Sequence, residues 1–283
     1  MNRAILLAVA ASIAGCGGGP APATGPAPEP GAPPSAPSGV APVGPLHYRL
    51  RGPLTYELFR YDTLVYASMP GAPQASGKRA ILTVRPVPGR TVETEVRLDS
   101  LEALEDTRLS SQAIDSSLGT RWQVMLGPAG PMGTLMGGRR MIVPGQIEAI
   151  VRLLFPQLPS NGLREESAWS DSTTYRIQLD AFDASESAAR TSRGSVGSAT
   201  SPGLAVGATE RLVRTGTAMQ GGQPMTLRGT GARRLSYEFA SDGWLTKLSA
   251  RDSLDMVVSV TDQTIPVRWR STLIARLRDI PPR

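Results

Sequence analysis

The sequence predicts a mainly β fold, built as a large curved antiparallel sheet or half-barrel with one central helix. Three observations lead to this prediction. Several segments alternate between apolar and polar residues, turns containing Gly or Pro separate them, and one segment near the middle carries a helical apolar stripe instead. Alternation with a period of two is typical of antiparallel strands that have one buried and one solvated face.

The alternating rows are the strongest strand signal. In the longest row, at 267–277, Val267, Trp269 and Leu273 share one face while arginines occupy the other. We expect this row to pair centrally in the sheet or to close it. Similar rows lie at 91–98, 122–126, 175–179, 235–239 and 254–260. Ser241-Asp242-Gly243 follows one of them and predicts a hairpin turn, because glycine readily adopts a left-handed backbone conformation.

One helix is expected at 144–155. Pro144 suits the first turn of a helix, since the N–H that it lacks would be unpaired there in any case. Pro156 disfavours helical geometry in the residue before it and predicts the end of the helix. An apolar stripe at i, i+3, i+4 and i+7 lies between them, formed by Ile147, Ile150, Val151 and Leu154.

Weaker patterns complete the expected layout. They predict a shorter helix at 100–106, a loop in the Ser/Ala/Gly-rich segment 181–205, and turns in the glycine-rich segments 127–140 and 229–231. We expect residues 46–283 to form one β-rich domain. Two similar halves around the helix at 144–155 remain an open alternative.

The first 16 residues have the layout of an exported protein. A positively charged start, Met1-Asn2-Arg3, precedes the uncharged run 4–14. That run has the length of a signal-peptide h-region and is shorter than the roughly 20 residues that a spanning helix needs. Ile13-Ala14-Gly15-Cys16 follows. It resembles the lipobox of the bacterial lipoprotein family, in which Leu, Val or Ile, a small residue, and Gly or Ala precede a modified cysteine.

The resemblance implies that residues 1–15 are a signal peptide cleaved before Cys16. It also implies diacylglycerol on the Cys16 thiol and an acyl chain, such as palmitate, on the new amine. Two or three such chains anchor a protein firmly, because each buried CH₂ contributes about 0.8 kcal/mol. An ordinary secretory signal followed by an accidental cysteine is the alternative. Cys16 is the only cysteine, so no intramolecular disulfide is expected.

The resemblance also bears on location. In Gram-negative lipoproteins an Asp after the modified cysteine favours retention at the inner membrane, and Gly17 stands there instead. We therefore expect an envelope protein anchored to the outer membrane on its periplasmic face. Residues 16–45 are rich in Pro, Ala and Gly and carry one charge, Glu29, which predicts a disordered tether of extended polyproline character. A proline-rich recognition ligand is a weaker reading, since no basic residue flanks the prolines.

A second resemblance concerns the domain. Phe155-Pro156-Gln157-Leu158-Pro159 followed by Ala168-Trp169-Ser170-Asp171 looks like a linker in uncharacterised β-rich envelope lipoproteins of the lipid-carrier type. It spans about 20 residues and implies no activity.

The charge pattern argues against a nucleic-acid partner. The formal net charge is +6, but the arginines are scattered and alternate with apolar residues rather than forming a basic run. A weak attraction to anionic lipid headgroups is left open.

No catalytic constellation is recognisable. His47 is the only histidine and is expected at the surface, which leaves no Ser-His-Asp or Cys-His arrangement and no zinc or copper site. The carboxylate pairs Glu93/Glu95 and Glu102/Glu105 are expected on solvated faces, and neither they nor Glu165/Glu166 are expected to act as a catalytic pair. We therefore predict no catalytic residue, no cofactor and no metal site, and a protein that is not an enzyme.

Three functions stay open. The first is a non-enzymatic lipoprotein that is held at the membrane by the lipid on Cys16 and binds a lipid or another apolar ligand, or contacts a protein partner of unknown identity. The second is a structural or assembly role with a fully packed β-domain. The third is an unrecognised hydrolase. An apolar cavity favours the first function, a filled core favours the second, and a cleft with converging carboxylates favours the third.

Overall fold

The computed structural model describes residues 45–49, 52–67, 73–90, 92–104, 109–139, 141–179, 182–196, 203–260 and 263–279. The expected signal peptide, Cys16 and nearly all of the expected tether lie outside these residues. Within them, Leu46 and Tyr48 are buried and Leu46 forms an antiparallel bridge with Leu163.

Strands dominate the described part of the chain. They are β1 (Leu54–Tyr66), β2 (Gln74–Pro86), β3 (Glu93–Leu104), β4 (Arg121–Gly127), β5 (Gly130–Pro131), β6 (Met136–Gly137), β7 (Ala168–Leu179), β8 (Phe182–Val196), β9 (Gly203–Gln220), β10 (Gln223–Ala240), β11 (Leu245–Val260) and β12 (Gln263–Asp279). The two helices are α1 (Ser111–Ser117) and α2 (Ile142–Leu153).

All twelve strands belong to one antiparallel sheet that curls into a half-barrel. Its order is β5-β4-β3-β2-β1-β12-β11-β10-β9-β8-β7, and β6 pairs with β4. The predicted mainly β, half-barrel fold is thus confirmed. The C-terminal strand β12 pairs with both β1 and β11, which agrees with the central position expected for the 267–277 row.

Helix α2 is the helix predicted at 144–155. It begins two residues earlier than expected, at Ile142, so Pro144 still lies in the first turn, where no intrahelical N–H partner is lost. Its apolar stripe is buried, with Ile147, Ile150 and Val151 at most 3% exposed. Helix α2 packs against β7. None of the helices in the described ranges is long and apolar enough to cross a bilayer.

Most predicted faces are confirmed. Tyr237 and Phe239 are fully buried, as are Leu254 and Trp122, and each lies on the face that alternation assigned to the interior. The hairpin between β10 and β11 turns at 241–244, with Gly243 at a φ of 93°.

The helix predicted at 100–106 is wrong for its described part, because residues 100–104 continue strand β3. A register shift opposite Ile81 and Leu82 leaves one extra residue in β3. A bulge of this kind interrupts alternation. It places Leu98 and Leu101, three residues apart, both in the core, which imitates a helical stripe.

Segment 181–205 was predicted to be a loop, and this is also wrong, since 182–196 is β8 and 203–205 begins β9. The inward positions of β8 are small or charged rather than apolar, so alternation was invisible. They are Ala184, Glu186, Ala188, Arg190, Ser192 and Gly194.

The turn predicted at 229–231 is wrong as well, because these residues lie in the middle of β10. An added Cβ would lie 2.5 Å from Met256 Cγ at Gly229 and 2.7 Å from Leu254 Cγ at Gly231. Glycine is required there because side chains of the neighbouring strand occupy the inside of the curl.

Candidate functional site

A row of charged side chains crosses the inner face of the half-barrel. Strand register places Asp171 opposite Arg190, Arg190 opposite Glu210, Glu210 opposite Arg233, and Arg233 opposite Asp252. The signs alternate along the row, so each residue faces an opposite charge on the next strand. We call these five residues the charged belt.

Arg233 is the centre of the charged belt and is only 4% exposed. Its Nη1 donates to Glu210 Oε2 at 2.9 Å, and its Nε and Nη2 donate to the two oxygens of Asp252 at 2.9 and 3.1 Å. Nη2 also donates to Glu186 Oε1 at 3.1 Å. One guanidinium therefore neutralises parts of three carboxylates.

A second row of paired side chains lies four residues further along the same strands. Glu186, 1% exposed, faces Arg214, whose Nε donates to Glu186 Oε2 at 2.5 Å. The Tyr175 hydroxyl donates to the other Glu186 oxygen. The Arg214 guanidinium lies 4.2 Å from the ring centroid of Trp269, within the range of a cation–π contact.

The pKa values show that these pairs are held as ions. Burial alone would raise the pKa of the Glu186 carboxyl, but Arg233 and Arg214 outweigh burial and lower it from 4.5 to about 2. Burial alone would lower the pKa of Arg233, but Asp252 and Glu186 raise it well above its ordinary value. The Arg233 guanidinium and the carboxylates that it contacts therefore stay charged and paired with one another.

The charged belt divides the apolar interior into two clusters. The larger, main core contains α2, the buried residues of β1–β4 and one end of β9–β12, with Trp122, Leu82 and Val151 at 0% exposure. The smaller, second cluster lies on the other side of the belt and is built from Ala188, Leu212, Leu227, Leu254, Met256, Val267 and Trp269.

A cavity of about 250 Å³ lies between the two ends of the sheet. Val124 on β4 and Pro131 and Gly133 at β5 line one side, and α2 lies between them and the other side. That other side is formed by Asp171, Ser172, Thr173 and Tyr175 on β7. We call it the seam cavity. Its wall is apolar at Val124, Leu135, Val151, Leu153 and Phe155, and its polar end is formed by Arg152, Asp171, Tyr175, Arg190 and Glu210.

Two polar atoms at this end are buried without a hydrogen-bond partner among the described residues. They are Oδ2 of Asp171, an acceptor, and Nε of Arg152, a donor. Burial raises the pKa of the Asp171 carboxyl, Arg190 opposes that shift and Glu210 adds to it. Arg152 is otherwise held in place, because its Nη2 donates to Glu148 at 2.6 Å and its guanidinium lies 5.2 Å from the Tyr175 ring.

The residues singled out from the sequence lie elsewhere. Cys16 is outside the described residues. His47 is half-buried with a buried Nδ1, so its expected surface position is only partly right. Glu95 was expected on a solvated face but is 9% exposed, and it pairs with Arg85 at 2.8 Å and with Arg121 at 3.5 Å. Glu102 is exposed, as expected, beside Arg79.

Sequence reasoning missed the charged belt entirely. One signal could have found it: of the four occurrences of the pattern Glu-x-x-x-Arg, two copies, Glu186 to Arg190 and Glu210 to Arg214, lie on adjacent strands. In antiparallel strands a spacing of four keeps both residues on one face, so the two copies complement each other. The same spacing also suits an ion pair along a helix, which makes the signal ambiguous.

The described residues contain no group of three or more His, Cys, Asp or Glu side chains placed to hold a metal ion. No protein-family model matches the chain, and none of the curated proteins matches it significantly.

Proposed function

We propose that this protein is a non-enzymatic envelope lipoprotein, anchored by lipid on Cys16, whose half-barrel binds a small apolar ligand with a polar end in the seam cavity. The single observation that carries the ligand part is the seam cavity itself, which apolar side chains line along one wall and whose polar end includes Asp171 and Arg152, each with a buried polar atom that lacks a partner.

The anchor part rests on the lipobox at 13–16. Its test is the intact mass of the protein purified from the envelope. We expect the chain to begin at Cys16 and to carry the mass of diacylglycerol and one further acyl chain. Cys16→Ser should retain residues 1–15 and carry no lipid. A wild-type chain without added lipid mass contradicts the anchor, whatever the cavity binds.

The volume of the cavity limits the size of the ligand. Pockets for drug-sized molecules measure roughly 300–1,000 Å³, and the seam cavity is slightly smaller at about 250 Å³. A short alkyl or aromatic body fits this volume, whereas a complete phospholipid does not.

The polar end indicates the chemistry of the ligand's head. A buried polar atom without a hydrogen-bond partner destabilises the protein, so a ligand that forms the missing hydrogen bond should bind more tightly. Asp171 Oδ2 requires a donor, such as an amine or a hydroxyl, and Arg152 Nε requires an acceptor. A neutral hydrocarbon would satisfy neither atom. We therefore propose an amphipathic ligand that carries both a donor and an acceptor at one end.

A homologous series tests this proposal. Calorimetric titration with primary n-alkanamides of increasing length, whose head group carries both a donor and an acceptor, should show affinity rising about fourfold per added CH₂, because burying one CH₂ contributes about 0.8 kcal/mol. The rise should stop when the chain fills the cavity. Alkanoic acids of equal length should bind less tightly, since their carboxylate faces Asp171.

A matched pair of variants locates the site. Thr173 lines the cavity, whereas Thr174 does not, and the Thr174 Oγ1 shares a hydrogen bond with Ser187 Oγ on the outer face. Thr173→Trp should fill the cavity and abolish binding, and Thr174→Trp should leave it unchanged. Equal affinities in both variants contradict the seam cavity as the site.

A structural or assembly role is the second candidate. It is favoured by the filled main core, where Trp122, Tyr237 and Phe239 have no exposure. Failure of every alkanamide to bind would favour that role. The hydrolase has less support, because both oxygens of Glu210 are held by arginines, which leaves Asp171 as the one cavity carboxylate with an unpartnered oxygen.

A further inference from the structure

The outer face of strands β9–β12 collects the arginines that look scattered in the sequence. The outward positions of these four strands carry nine basic side chains and two acidic ones. Their excess of positive charge is larger than the formal net charge of +6 of the whole chain. The fold therefore concentrates the basic character of the protein on one side.

Four exposed arginines form a bowed row across this face, with Arg211 and Arg270 at one level and Arg234 and Arg251 two residues away from it. Arg234 on β10 lies directly opposite Arg251 on β11. Arg211 on β9 lies opposite Ala232, two residues before Arg234, and Arg270 on β12 lies opposite Ser253, two residues after Arg251. Strands are about 4.8 Å apart, so the stripe crosses about 15 Å of surface. We call these four residues the arginine stripe.

The acidic residues on this face do not neutralise the stripe. Glu238 pairs with Lys247 at 2.9 Å, and Asp255 pairs with Arg268 at 2.9 Å. Within the described residues, no carboxylate lies within 4 Å of a stripe arginine. The outer face of β2–β4 differs, because there Arg85 pairs with Glu95, and Arg97 pairs with Asp99.

Like charges directly opposite each other destabilise an antiparallel pair, so Arg234 beside Arg251 is unfavourable in the isolated protein. An external anion would remove that penalty. The fork geometry of arginine suits phosphate oxygens. The outward positions of β9–β12 carry no aromatic residue on which a nucleobase could stack, which favours phosphate on a lipid headgroup over single-stranded nucleic acid.

We propose that the arginine stripe docks the half-barrel on anionic phospholipid headgroups of the membrane that holds the protein. The inference rests on the proposed function for the tether alone: a lipid on Cys16 would keep the domain near the leaflet, where a weak surface contact gains from a high effective concentration. Each basic residue near an anionic leaflet strengthens attraction about fivefold at moderate salt, so four of them suffice for a useful contact.

Vesicle sedimentation of the full chain tests the proposal. The probes are vesicles of phosphatidylcholine alone and vesicles containing about one third phosphatidylglycerol, which raises the anionic surface charge. The leader and any lipid on Cys16 contribute to both, so the readout is the ratio of the two partition coefficients. The test variant replaces Arg211, Arg234, Arg251 and Arg270 by Gln. The matched control replaces Arg85, Arg90, Arg97 and Arg121 by Gln, which changes the net charge equally.

We expect wild type and the control to prefer the anionic vesicles, and the test variant to lose at least about tenfold of that preference. Raising the salt from about 50 to about 500 mM should reduce the wild-type preference, because headgroup attraction is screened. Equal preference in all three proteins overturns the proposal. So does wild-type binding to double-stranded DNA with no preference for anionic vesicles. Intact mass shows separately whether Cys16 carries lipid. A chain without that lipid would contradict the proposed anchor, but the vesicle preferences of the three proteins could still be compared.

Discussion

The two sides of the half-barrel interior are stabilised by different kinds of inward side chain. Around α2 and β1–β4 the inward residues are apolar, and Leu82, Val84, Val96 and Leu98 have no exposure. Across β7–β11 one row of inward residues, between the two apolar clusters, forms the charged belt. The difference shows that alternation reveals a strand only where burial and apolarity coincide. On the belt side, the buried inward residues are charged and paired with one another. The sequence of these strands therefore resembles that of a polar loop.

The net contribution of the charged belt to stability differs from the cost of removing any one of its residues. Buried ion pairs often add little compared with well-packed apolar residues, yet removing one partner is costly because the other charge stays buried. The belt should therefore be sensitive to single substitutions even if it contributes little net stability.

The largest effect is expected at Arg233. Arg233→Met leaves Glu186, Glu210 and Asp252 without their shared cation, so we expect the free energy of unfolding to fall by about 3–5 kcal/mol. Its neighbour Arg234 is exposed on the outer face, and Arg234→Met should change stability by no more than about 0.5 kcal/mol. Urea denaturation measures both. Equally small losses of stability in both variants would contradict the inward, ion-paired position of Arg233.

Trp269 tests the boundary between the belt and the second cluster. It is 5% exposed and lies against Arg214 and Arg60. Trp269→Ala should cost about 3 kcal/mol, at the lower end of the range for buried aromatics, because the two arginine side chains can relax into part of the space. Arg270→Ala, one residue along on the outer face, serves as the control and should change stability by no more than about 0.5 kcal/mol.

Acid should destabilise the belt side selectively. The pKa of Glu186 is about 2 in the folded protein and near 4.5 when unperturbed. A lowered folded pKa means that the stabilisation is complete above about pH 4.5 and is lost as the pH falls towards 2. We expect a loss on the order of 2 kcal/mol over that window. Glu186→Gln should be less stable near neutral pH, and its stability should fall less across the same window. Identical acid profiles would contradict the ion pairs.

The smallest effect is a gain. Arg251→Glu places an opposite charge beside Arg234, so we expect the variant to be more stable by about 0.2–1 kcal/mol. Thermal unfolding at low salt should detect the change. The same variant should bind anionic vesicles more weakly than wild type. Lower stability than wild type would show that the arginine stripe carries no internal repulsion.

The sequence predicted the parts of the fold in which one physical signal dominated. Alternation identified the inward faces of β10, β11 and β12, the Pro144 and Ile147 pattern identified α2, and Gly243 identified its hairpin. The errors have local causes. The bulge in β3 imitated a helix, Gly229 and Gly231 served close packing rather than a turn, and β8 presents Ala, Ser and charged residues inward.

Little of the candidate site could be predicted. The seam cavity depends on how the two ends of the sheet approach each other across α2, and the order of strands that are not adjacent in sequence fixes this approach. Asp171 and Arg152 belong to different elements, and neither carries a motif. The arginine stripe was equally hidden, because Arg211, Arg234, Arg251 and Arg270 are spread over 60 residues and meet only through strand register.

Native mass spectrometry of the protein purified from its native host, with the proposed lipid anchor in place, tests the central claim most directly. It should be run on wild type and on the Thr173→Trp and Thr174→Trp variants. We expect wild type and Thr174→Trp to retain one small non-covalent ligand in addition to the covalent lipid on Cys16, and Thr173→Trp to keep the covalent lipid but lose the ligand. A ligand retained equally by Thr173→Trp, or absent from all three proteins, would contradict binding in the seam cavity.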